Sequence, residues 1–165
     1  MKTLLIVIIF SSLFPGPSGK DPILMPSELK IFTGKIWKGN LTYKDYSKDT
    51  EVTIPSELLV VQSDTNPADC YFSMMYPDEP QMNSTTLIKL SDEGKKFDGE
   101  IIIEKKYLKD GSLYFVTESK GADNDKKADI RHLYTINASE FIIKKEVRYE
   151  GQEDFFLRNK YEFQR

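Results

Sequence analysis

Few residues of this sequence are equipped for chemistry, and they are scattered. His132 is the only histidine and Cys70 the only cysteine among 165 residues. A single cysteine forms no internal disulfide, and one cysteine with one histidine cannot assemble the usual four-ligand zinc site. Cys70 shares a period-two face with Phe72 and Met74, which reads as a small buried apolar residue rather than a reactive thiol. His132 shares a period-two face with Ile130, Tyr134 and Ile136. Such a histidine either anchors a ligand in an interior or sits in the core, hydrogen-bonded to a tyrosine. A Ser-His-Asp triad needs a nucleophile elbow on a strand-to-helix turn, and the sequence offers neither. Glycoside chemistry needs two carboxylates in one cleft, whereas the acids here, Asp45 excepted, fall mostly in loops or on the polar phase of their strands. Asp45, on the Trp37 phase just past Tyr43, marks the wet end of a strand. Asp123-Asn124-Asp125 lacks the glycine and terminal glutamate of a calcium loop. These residues point away from an enzyme and away from a bound metal.

The elements that must position them alternate with a period of two, the signature of strands. Trp37, Leu41 and Tyr43 alternate with Lys38, Asn40 and Thr42. Val52 and Ile54 follow, and Pro55 marks a bend, a bulge or an edge before residues 58–61 continue. Cys70, Phe72, Met74 and Tyr76 share a face, as do Thr86, Ile88 and Leu90. Ile101, Ile103 and Tyr107 lead to Asp110-Gly111, a hairpin turn, and then to Leu113, Phe115 and Thr117. Residues 121–125 read as a loop. Three clear strands close the chain. They carry Ile130 to Ile136 on one phase, then Phe141, Ile143, Val147 and Tyr149, then Phe155, Leu157, Asn159, Tyr161 and Phe163. Ser27 is placed to cap a short helical turn running to Phe32.

Roughly nine strands at 8–12-residue spacing predict an all-β sandwich or barrel. One greasy and one charged face per strand favours a single sheet wrapped around its own interior. The expected fold is a single antiparallel up-and-down barrel of about 8–10 strands after a short N-terminal helical turn. Tyr43, Phe72, Phe115, Tyr134, Tyr149, Tyr161 and Phe163 fall on the inner phase. They serve equally as plain core packing or as an apolar pocket with tyrosine hydroxyls for polar handles.

The first residues read differently. Lys2 precedes an apolar run to Phe14, and Pro15-Gly16-Pro17-Ser18-Gly19 ends it with small residues, the layout of a secretory signal. A membrane span needs about 18 or more continuous apolar residues, and this run is shorter. Residues 1–19 are thus expected to be a signal peptide and 20–165 one domain. That implies export to a periplasmic or extracellular space, with no membrane anchor after cleavage. The formal charge is −3, from 23 basic and 26 acidic residues. The charges are interspersed, which is not the footprint of a nucleic-acid binder.

The segment Phe32-Thr33-Gly34-Lys35-Ile36-Trp37 resembles the opening of the calycin superfamily, the lipocalins and fatty-acid-binding proteins. Leu41-Thr42-Tyr43-Lys44-Asp45-Tyr46 and the loop Tyr76-Pro77-Asp78-Glu79-Pro80 resemble small exported lipocalin-like proteins of bacteria. The resemblance implies a closed barrel whose tryptophan, Trp37, packs across the shut end under a basic residue, Arg165 or Lys160. It also implies a small-molecule carrier. In the intracellular fatty-acid binders an interior arginine stands two residues before a tyrosine; the matching positions here are Asn159 and Tyr161. Arg158 is out of phase and is expected to face solvent. By likeness to nitrobindin-type barrels, His132 is an alternative axial haem ligand, although no cofactor is the leading expectation.

The expectation is therefore an exported, monomeric, non-enzymatic carrier of a small apolar or amphipathic molecule. Its lumen would be lined by Tyr43, Phe72, Met74, Phe115, His132, Tyr134, Asn159 and Tyr161. The alternative is an interaction module with a filled barrel, working through the loops 76–80 and 121–127.

Overall fold

The computed structural model describes residues 22–165, so the expected leader at 1–19 lies outside the described residues. Ten strands follow in chain order: β1 Trp37–Asp45, β2 Thr50–Gln62, β3 Asp69–Met75, β4 Ser84–Ser91 and β5 Lys96–Phe97, then β6 Glu100–Tyr107, β7 Leu113–Asp123, β8 Lys126–Ile136, β9 Glu140–Tyr149 and β10 Phe156–Gln164. Each strand pairs antiparallel with the next, and β1 also pairs with β10, which closes the barrel. The all-β up-and-down architecture expected from the alternation is the one that forms.

The short helix at the start is a 3₁₀ helix, Pro26–Phe32, capped by Met25 rather than Ser27. Proline at the first helical position moves the start back by two residues, and the Glu28 carboxylate accepts the Met25 backbone N–H at 2.7 Å. Pro55 does not interrupt β2. It lies opposite Asn40 in the stretch of β2 that pairs with β1 alone, since β3 joins only at Glu57. A residue without an N–H is tolerated there because one edge carries no ladder. The expected loop at 121–125 is a two-residue turn. Asn124 and Asp125 take φ of 48° and 60°, a conformation these two side chains tolerate better than most, so β7 and β8 run on to meet at Asp123 and Lys126.

The larger correction is in β10. A bulge between Leu157 and Asn159 shifts the register against β9. Phe156, paired with Val147, takes the inner phase. Leu157 is turned out and is 47% exposed. Phe155 lies outside the wall under the guanidinium groups of Arg131 and Arg148, 4.1 and 4.5 Å from its ring centre. Arg158, the extra residue of the bulge, is turned against the barrel's own polar groups instead of into solvent.

One end of the barrel is packed solid. Phe32, from the 3₁₀ helix, sits under it with its ring 5.1 Å from Phe141 and 5.9 Å from Phe72. Phe97 and Phe115 complete the cluster, and Leu24, Leu29, Leu58, Leu113, Ile136 and Phe163 fill the space around it. Trp37 donates its indole N–H to the Phe32 carbonyl at 2.8 Å. The Arg165 guanidinium lies 3.9 Å from the Trp37 ring and donates to the carbonyls of Thr33, Ile31 and Ala138. Lys160 pairs with Glu162 on the outside. Glu28 ties the helix to β6 by accepting from Lys105 at 2.7 Å and from the Tyr107 hydroxyl. Gly39 allows β1 to approach β10 closely: a Cβ there would fall 1.8 Å from the Glu162 carbonyl oxygen.

Toward the other end the wall thins. Residues 50–56 of β2 have no β3 partner, β5 is two residues long, and Ser119 to Asp123 of β7 have no β6 partner. Inward positions change with height as well. Along β10 they read Phe163, Tyr161, Asn159, and along β9 Phe141, Ile143, Lys145.

Candidate functional site

The opening at the thin-walled end holds a pocket of about 300 Å³. Its apolar wall is Leu41, Tyr43 and Ile54, with Tyr76, Glu79 and Met82 contributed by the loop after β3, and Arg158 and Asn159 by β10. Leu41 is registered with Ile54 on one side and Tyr161 on the other, and Tyr43 with Asn159, so β1 is the shared wall. The loop is held in place by Asn83, whose side-chain carbonyl accepts the Tyr76 N–H at 2.7 Å. Across the mouth the Tyr76 and Tyr161 hydroxyls meet at 2.8 Å. Burial, with the Tyr76 hydrogen bond added, pushes the Tyr161 hydroxyl well above its usual pKa, so it stays a neutral donor and acceptor.

Next to this pocket is a buried ionic network. Asp123 receives the Lys145 ammonium at 3.0 Å, the Tyr149 hydroxyl at 3.1 Å and the Arg158 Nε at 3.4 Å. Burial works to raise the Asp123 carboxyl, but the Lys145, Tyr149 and Arg158 contacts outweigh it and hold the group below its ordinary 3.8. Arg158 also donates Nη1 to the Lys44 carbonyl at 3.0 Å and stacks on the Tyr46 ring at 4.4 Å. The two-residue turn after Asp123 brings this carboxylate to the mouth.

A second polar cluster lies lower, at the foot of the gap above β5. The Glu100 carboxylate accepts from the Ser119 hydroxyl at 2.8 Å, from the Thr117 hydroxyl, and from His132 Nδ1 at 2.8 Å. The histidine's partner is therefore a carboxylate rather than a tyrosine, and the Tyr134 ring centre is 6.3 Å away. Burial works to raise Glu100, while the His132, Thr117 and Ser119 hydrogen bonds bring it below its ordinary 4.5. Both hydroxyls are spent on the carboxylate, so neither is paired with the imidazole as a nucleophile would be.

The residues named from sequence do not form one site. Tyr43 and Asn159 line the mouth pocket, and Tyr161 reaches it through Tyr76. Met74 and Phe72 are half-buried against the core. Phe115 and Tyr134 are stacked 4.4 Å apart and fully packed, with Phe97 at 5.4 Å from each. His132 belongs with Glu100, and Trp37 with Arg165 at the opposite end. Sequence reasoning missed Glu100, Asp123, Lys145 and Arg158. Lys145 carried a readable signal, because it stands between Ile143 and Val147 on the inward phase. A wider groove of about 520 Å³ on the rim includes Lys120, Asp129 and Arg148. Asp129 takes both cations there, at 2.9 and 2.8 Å, so the groove is a solvated ion-pair face. No family model matches the chain, and no curated protein matches it.

Proposed function

We propose that the chain is an exported, lipocalin-like binding protein of the calycin kind, which holds a small amphipathic molecule reversibly at the barrel mouth. The observation that carries this reading is the mouth pocket: an apolar wall of Leu41, Tyr43, Ile54 and Met82 beside a polar edge of Arg158 and Asn159. Apolar walls with a few fixed polar groups are the usual composition of a small-molecule site. The ligand sits at the mouth because Phe32, Phe97, Phe115 and Tyr134 occupy the interior below. The proposal carries no cofactor, and it assigns no catalysis.

The filled floor also favours a second reading, an interaction module acting through the loop 76–80 and the hairpin tip near 121–127. Native mass spectrometry of protein purified from its host separates the two. The carrier reading expects an added mass that delipidation removes and that Ile54→Trp, which fills the pocket with a bulky uncharged ring, abolishes. If no mass co-purifies and no compound in a broad panel raises the melting temperature, the interaction reading takes over.

A further inference from the structure

We propose that the mouth pocket selects a compact organic anion, with its acidic group against Arg158 and Asn159 and an apolar body against Leu41, Tyr43 and Ile54. The inference deepens the mouth-binding reading and rests on it. Three observations carry it.

The first is the bulge in β10. Without it Arg158 would stand outside; with it the guanidinium lines the pocket beside the Asn159 amide. The second is the charge balance of the network beside the pocket. Lys145 and Arg158 share one carboxylate, Asp123, which leaves the network one positive charge in excess, against the single lining carboxylate Glu79 on the exposed loop. The third is the state of the guanidinium fork. Nη1 is committed to the Lys44 carbonyl, and Nε is buried 3.4 Å from Asp123 without a hydrogen bond, while Nη2 has no hydrogen bond to the described residues. A guanidinium held in place by Asp123, Lys44 and the Tyr46 ring, with N–H groups to spare, is preorganised for a carboxylate or a similar oxyanion.

The size of the ligand follows from the packing below. A volume of about 300 Å³ is at the small end of ligand pockets, which run from roughly 300 to 1,000 Å³. Below the pocket the interior is taken up by the Tyr76–Tyr161 hydrogen bond and the phenylalanine cluster. A short or aromatic acid fits, and a long-chain fatty acid does not. Glu79 also lines the pocket, on the exposed loop. It opposes an anion weakly, because its charge is in water.

The test uses phenylacetate, its neutral isostere phenylacetamide, phenethylamine and palmitate, titrated into the whole domain. Affinity is read by calorimetry, and the site by the NMR signals of the Arg158 side chain and the β1 amides. Phenylacetate is expected to move those signals and to bind about tenfold or more tightly than the amide, the value of a hydrogen bond to a charged group. Arg158→Met should lose that factor and Arg158→Lys part of it, with circular dichroism confirming the fold of each. Glu79→Gln should tighten phenylacetate. If Arg158→Met fails to fold, the ligand series on the unaltered protein decides alone. Amide or amine binding at the mouth as tightly as the acid overturns the anion while leaving the carrier reading in place. Palmitate binding there as tightly as phenylacetate overturns the compact ligand. If none of the four binds, the mouth-binding reading falls with the inference.

Discussion

Replacing Asp123 by asparagine removes one charge, keeps the side chain's shape, and leaves Lys145 and Arg158 facing each other without a counterion. Breaking a buried ion pair by deleting one partner costs about 3–5 kcal/mol. Here the carboxylate is well enclosed, with 6% of its side chain exposed, whereas Lys145 and Arg158 keep 23% and 22%. The two cations can recover some hydration, so the low end applies, about 3 kcal/mol. For a domain of this size each kcal/mol moves the melting temperature by roughly 2–4 °C, so a fall of about 6–12 °C is expected. Urea unfolding followed by circular dichroism gives the free energy directly. The pH dependence supplies an internal check. Because the folded carboxyl lies below its ordinary 3.8, its contribution is complete above that value and is lost as pH falls through the folded pKa. The gap between the native protein and Asp123→Asn should therefore be widest near neutrality and should shrink in acid. A penalty under about 1 kcal/mol, the range of an exposed pair, or a gap that widens in acid, would refute the reasoning that this network is a buried, charge-paired unit.

Two further perturbations probe the opposite end and the core. Arg165→Ala removes three charge-assisted bonds to backbone carbonyls and the contact with Trp37; a loss of about 2 kcal/mol is expected. The emission of the single tryptophan should shift to the red, and an unchanged spectrum would mean that another group covers the ring. Cys70 is buried, and burial, with a smaller push from Asp69, raises its thiol to about 11. It should resist a thiol-specific disulfide reagent at pH 8 in the native protein and react fully in denaturant; stoichiometric native labelling would contradict the burial.

Strand alternation made the barrel legible, because each residue of β8 and β9 declares its face locally. Phe141, Ile143 and Val147 could be placed from spacing alone, and so could Ile130, His132, Tyr134 and Ile136. The site was less legible for two physical reasons. First, the bulge at Leu157/Asn159 contains no glycine or proline and leaves no local mark. Its place is fixed by how β10 must meet β1 and β9 at once, so the phase read through Phe155 and Leu157 was one residue out. Second, the partners of the polar groups are remote in sequence. His132 finds Glu100 at a separation of 32 residues and Asp123 finds Lys145 at 22, contacts set by register across the sheet. The sequence reads as a loop over 121–125, and the shorter turn at Asn124-Asp125, which lifts Asp123 into the mouth, depends on both residues taking positive φ.

The plug and the pocket have a common cause in the inward phase of the strands. Near the 3₁₀ helix that phase carries Trp37, Phe141 and Phe163, large rings that interlock and need few polar partners. Two or three turns of the pleat higher it carries Tyr43, Lys145 and Asn159, and the bulge adds Arg158. Such groups are tolerated inside only if each finds a partner or water. Asp123 satisfies Lys145 and pairs with the Arg158 charge without hydrogen-bonding its Nε, and Tyr149 completes the carboxylate. The demand left over is concentrated on the Arg158 fork, beside the apolar wall of β1 and β2. A barrel built only for stability would close this end with apolar residues as it closes the other. A bulge that carries a guanidinium inward, with a carboxylate beside it and a buried Nε that finds no hydrogen-bond acceptor, is a local cost in the packing.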